Sequence, residues 1–173
     1  MGFDGENISL PQDLTSVQNL PADYKGGGVL IGIADNGIDI NDPAFKYENG
    51  ESRIYSMWIQ DDNENTEGLC FGREYTREEI TQGDVKTEGD TLHGTNMAKA
   101  VLQVAPDAEF VIVKLKEASN YYKNMAGVDR GVTAFQSSDL MLAVDYIALK
   151  AREQRKPISI PIGIGTNQGG HDN

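Results

Sequence analysis

The chain has 173 residues, enough for one domain with a buried core. Fifteen Lys and Arg against 27 Asp and Glu give a formal charge of −12, which argues against a broad basic face for nucleic acid. One cysteine, Cys70, excludes an internal disulfide, and two histidines, His93 and His171, cannot assemble a multi-histidine or cysteine-rich zinc site.

Residues 1–25 are polar and broken by Pro11 and Pro21, and read as an N-terminal arm. They carry no basic-then-apolar leader pattern, so no signal peptide is expected in them and no compartment is assigned. No apolar run approaches the roughly 20 residues that cross a bilayer, so no membrane contact is expected. After Gly26-Gly27-Gly28, residues 29–34 form a short apolar run that reads as a buried strand, stopped by Asp35-Asn36-Gly37. Asp35 therefore falls at a strand's C-terminal end. Residues 53–59 read as a second strand, 61–68 as an acidic loop, and 75–80 as a short helical turn capped by Thr76.

From His93 to Gln103 the spacing is helical, with Met97 and Val101 on one face and Ala98 and Leu102 beside them, which places His93 at a helix start. Residues 110–115 read as a third strand and 117–136 as a mixed connection. A long helix follows, capped by Ser137 or Ser138, with Leu140, Val144, Ile147 and Ala151 as its apolar stripe. Beyond Pro157, Ile158, Ile160, Ile162 and Ile164 alternate as a last strand, made irregular by Pro161. Apolar strands alternating with helices predict an α/β fold: a doubly wound parallel sheet with helices on both faces. Ligands meet such sheets at the strands' C-terminal ends, where Asp35 falls.

Local signals alone read Asp35 as a turn former and His93 as a helix cap. An Asp that orients an imidazole is also half of a nucleophilic triad. The strings around both residues decide between these readings. Val29-Leu30-Ile31-Gly32-Ile33-Ala34-Asp35-Asn36-Gly37, followed by Asp42-Pro43-Ala44-Phe45, resembles the segment around the catalytic aspartate of the subtilisin-like serine peptidases. His93-Gly94-Thr95-Asn96-Met97-Ala98 resembles their H-G-T-H-x-A-G motif, and Val104-Ala105-Pro106-Asp107-Ala108 their V-A-P turn. A narrower likeness, to the clostridial spore-germination branch, rests on residues 71–80, 113–116, 139–143 and 164–172.

The resemblance runs from about residue 26 to 173 and implies the N-terminal part of a peptidase domain, its sheet incomplete at the C-terminal side. It implies Asp35 and His93 as catalytic residues. It also implies that Ile162, Gly163, Ile164 and Gly165 form the strand that pairs with an extended peptide or protein substrate by β-augmentation, Gly163 standing at the family's serine. For the branch, it implies a spore-associated or extracellular setting.

The sequence departs from the family at several points. The G-T-S-x-x-x-P nucleophile and the oxyanion-hole asparagine do not occur here, so the rest of the domain is the expected partner and the chain alone is expected to be inactive. Leu92 precedes the histidine where glycine is usual, Asn96 replaces the second histidine, and Lys99 replaces a small glycine. A long charged side chain there must snorkel outward or tilt the helix. These substitutions leave a second reading, a catalytically inactive relative that binds a partner protein. The family's loop that often binds calcium is nearly absent, because Gln103 runs straight into Val104, so that calcium site is expected to be lost; no cofactor is expected of this chain, although the complete domain leaves calcium open. Asp61, Asn63 and Asn65 alternate like a calcium loop, but Thr66 holds its glycine position, and the run reads as a solvated face.

Overall fold

The computed structural model describes residues 24–85 and 91–164. Its strands are β1 (Leu30–Asp35), β2 (Ile54–Ile59), β3 (Arg73–Thr76), β4 (Glu109–Lys114) and β5 (Ile158–Ser159). Its α-helices are α1 (Arg77–Gln82), α2 (Leu92–Val104), α3 (Asn120–Met125) and α4 (Ser137–Gln154). The strands form one sheet in the order β3-β2-β4-β1-β5, parallel throughout except that β3 runs antiparallel to β2. The fold is therefore the expected α/β type, with apolar residues on both faces of the central strands.

Alternation along β1 decides where its last residue points. Leu30 and Ala34 enter the core on the α4 side, with Val111, Val113, Trp58, Tyr146 and Ile147. Between them Gly32 leaves room for that helix, since a β-carbon there would lie 2.2 Å from Ile147 Cγ2. Ile31 and Ile33 enter the opposite core, with Ile38, Phe45, Met57, Phe110, Ile112 and Ala98 of α2. Asp35 shares the parity of Ile31 and Ile33 and so points toward α2. Burial of each such Ile, Leu or Phe contributes about 1.5–3 kcal/mol, and the two layers clamp β1 from both sides. In β2 a register shift between Ile54 and Ser56 moves Ile54 to the α2 side, while Trp58 stays on the α4 side.

Several predicted details change. In α2 the inward residues are Gly94, Thr95 and Ala98, with Val101 and Leu102 partly buried, so Met97 lies off the expected face. In α4 the buried stripe is Asp139, Ala143, Tyr146, Ile147 and Ala151, one step round from the predicted one, and neither Ser137 nor Ser138 caps it. Gln136 occupies the cap position, and Arg155, in a left-handed conformation, ends the helix. Within the mixed connection sits α3, a helix that the sequence reading did not expect. The last strand stops at Ser159, and residues 160–164 leave the ladder as Pro161 removes a donor. The predicted cap Thr76 is confirmed: it forms a capping box with Glu79 at the start of α1.

Candidate active site

Two elements from different parts of the chain meet at the C-terminal end of the sheet. β1 delivers Asp35, 2% exposed, and α2 delivers His93 from its first turn. His93 Nδ1 lies 2.7 Å from Asp35 Oδ2. An ionised carboxylate only accepts, so Nδ1 carries the proton in this bond and Nε2 is left as the basic nitrogen. The backbone N–H of Asn36 donates to the other carboxylate oxygen at 2.8 Å. Both Asp35 oxygens are thus engaged, while the His93 side chain remains 53% exposed.

Neighbouring residues hold the two elements in register. Thr95 Oγ1 accepts from the Asp39 N–H at 2.9 Å and donates to the Thr91 carbonyl at 2.6 Å, tying α2 to the turn after β1. Gly94 permits the close approach: a β-carbon there would stand 2.3 Å from the Gly37 carbonyl oxygen and 3.2 Å from Asp35 Cβ. Lys99 points outward and reaches Asp42 at 3.1 Å, so this substitution tilts neither the helix nor its histidine away from Asp35. The Asp42 carboxyl is held below its usual range, chiefly by the Ala44 N–H and further by Lys99, against the opposing effect of burial.

Asp35 and His93 open onto a cleft of about 1160 Å³, above the ~300–1000 Å³ usual for small-molecule sites. Its lining includes Gly163 and Ile164, Tyr122 and Met125 of α3, Val128 and Phe135 of the following loop, and Leu140 of α4. Of the predicted substrate strand, Ile162 is 53% exposed, Gly163 lies against His93 and Met97, and Ile164 packs partly on the α4-side core. Gly165 lies outside the described residues. Asn36 Oδ1, beside the cleft, is buried and makes no hydrogen bond among the described residues. Thr95, Met97 and the α3 wall were not marked as site residues by the sequence, and only the position of Thr95 two residues after the histidine could have flagged it.

The acidic run is less solvated than expected. Asp61 pairs with the buried Lys114 ammonium at 2.5 Å, and Asp62 accepts the Tyr75 hydroxyl at 2.6 Å. Burial, reinforced by that acceptor, pushes the Tyr75 hydroxyl up to about 12. Among the described residues no group of three or more His, Cys, Asp or Glu side chains is placed to hold a metal ion.

No protein-family model matches the chain, and no curated protein matches it. Among solved structures, the CspB protease of Clostridium perfringens superposes with a TM-score of 0.64 at 24% identity, over 91% of this chain and 33% of the protease. The fold is that of a subtilisin-like α/β domain. The chain spans about a third of that protease's length.

Proposed function

We propose that the chain is part of a subtilisin-like serine endopeptidase domain, with Asp35 and His93 as two members of an Asp-His-Ser triad whose serine lies outside these 173 residues. The observation that carries the reading is the 2.7 Å contact between His93 Nδ1 and the buried Asp35 carboxylate, aimed into an open cleft at the strand ends. In this mechanism His93 Nε2 takes the hydroxyl proton as the serine oxygen attacks a peptide carbonyl. It then gives that proton to the leaving amine, and an acyl-enzyme remains for water to hydrolyse. Asp35 holds the tautomer and stabilises the imidazolium. The substrate is a peptide or protein held extended beside residues 162–165, its backbone paired with theirs.

The test is to complete the domain by translating onward from Asn173, then to measure peptide hydrolysis and labelling by a fluorophosphonate. Activity and labelling that both collapse in His93→Ala are expected. A completed domain lacking a reactive serine, or one that hydrolyses equally well without His93, overturns the proposal.

A further inference from the structure

Gly163 has a backbone conformation open to any residue, because its φ is outside the left-handed region, so the reason for glycine there is space. A β-carbon would lie 2.4 Å from the Met97 sulfur, 3.0 Å from the Met97 methyl and 2.9 Å from His93 Cε1. Met97 is one helical turn beyond His93 on α2, and at i, i+4 the two side chains share a face. That face borders the buried one formed by Gly94, Thr95 and Ala98, and Met97 is half-buried without belonging to the core cluster that α2 packs on. Three groups from two segments therefore meet in one small volume: an imidazole edge, a flexible thioether and a bare backbone.

We infer that Met97 and Gly163 are a matched pair of positioning residues: the thioether fills the space vacated by the missing side chain at 163 and fixes how closely residues 160–164 approach the imidazole edge. The inference rests on the reading of Asp35 and His93 as a working pair. The physical need for such a device is visible in the sheet. The ladder with β1 runs from the Pro157 carbonyl, which accepts from the Leu30 N–H at 2.9 Å, to Ser159, so it does not itself set the position of 163. His93, half exposed, has the Asp35 bond on one side of its ring and needs a contact on the other to restrict its rotation. An unbranched, polarizable methionine adapts to that irregular gap better than a stiff β-branched residue. A glycine partner lets it do so without pushing the ring off Asp35.

A double-mutant cycle on the 173-residue chain tests this by NMR, with the His93 signals distinguished from those of His171 by a His171→Gln variant. In the parent chain, nuclear Overhauser contacts are expected between the Met97 methyl and both His93 Hε1 and the Gly163 α-protons. Gly163→Ala is expected to shift His93 Hε1 and to weaken the hydrogen-bonded Nδ1 proton signal. Adding Met97→Ala to it is expected to recover at least half of both changes, because the emptied space accepts the new methyl. If Gly163→Ala does not fold, recovery of folding in the double variant is the supporting result. Absence of the contacts in the parent, unchanged His93 signals in Gly163→Ala, or changes that simply add in the double variant overturn the inference. Asp35→Ala, which leaves no side-chain acceptor, separates the two proposals: a persistent hydrogen-bonded Nδ1 signal in that variant sinks the Asp35–His93 reading and leaves the Met97–Gly163 cycle to stand or fall by its own couplings.

Discussion

Gly94 of α2 and Gly37 of the turn after β1 are packed so closely that a β-carbon on Gly94 would stand 2.3 Å from the Gly37 carbonyl oxygen. The obstacle is backbone, which cannot swing aside as a side-chain end can. Gly94→Ala must therefore displace α2 from β1, and overpacking of this kind costs about 1–3 kcal/mol. A urea midpoint lowered accordingly, with unchanged slope, is the expected result. Parent-like stability would mean that α2 is not anchored through this contact.

Asp35→Asn keeps the shape and removes the charge. An amide can present its N–H₂ to the ring and so favours the wrong tautomer, which in a completed enzyme is expected to lower turnover by about four orders of magnitude. The companion expectation is a near-unchanged KM, since Asp35 is buried behind the imidazole. Steady-state kinetics on the completed domain measures both, and a loss below tenfold would remove Asp35 from the proposed role.

Lys99 and Asp42 make an exposed pair at 3.1 Å, with Lys99 48% exposed. Exposed pairs contribute at most about 1 kcal/mol, so Lys99→Ala is expected to be nearly silent in a thermal melt. Asp42 does more. Its carboxylate accepts from the Ala44 N–H and caps the short 3-10 turn Pro43–Phe45, whose Phe45 is fully buried. Asp42→Ala is expected to cost about 1 kcal/mol, the usual loss for such a cap. Equal effects of the two variants would contradict this.

Glu109, at the start of β4, accepts from both Arg77 and Lys156. Burial alone would raise its carboxyl, and these two hydrogen bonds and charges more than offset that, holding it below its ordinary 4.5. A carboxyl lowered by folding contributes stability that is fully present above the unfolded value and is lost as pH falls through the folded one. Denaturation midpoints are expected to fall as pH drops below 4.5, and Glu109→Gln to flatten that part of the curve. An unaltered acid limb in the variant would assign the effect to other carboxylates.

The strands that frame the site were legible because both faces of β1 and β4 are covered, which turns a parallel strand into a continuous apolar run. The meeting of Asp35 and His93 was legible only through the strings around them, since 58 positions of separation carry no distance. Helix α3 escaped notice because Tyr121, Tyr122 and Met125 are all exposed, leaving no apolar stripe to read. The face of α4 was misjudged by one step because Tyr146, whose hydroxyl bonds Ser56, and Asp139, whose carbonyl accepts from Gln60, are polar residues that go inward. The helical spacing puts Met97 on one face with Val101, and nothing in that local pattern says that its partner is a glycine far along the chain.

The strand order places β1 between β4 and β5, both of which come much later in the chain. On a ribosome adding about 5–20 residues per second, the roughly 80 positions separating Leu30 from its partner in β4 take some 4–16 s to appear. Throughout that interval β1 has no strand to zip against, although Asp35 has already been synthesised. The site is thus a late product of biosynthesis, because Asp35 waits for the strand that fixes its neighbours in place.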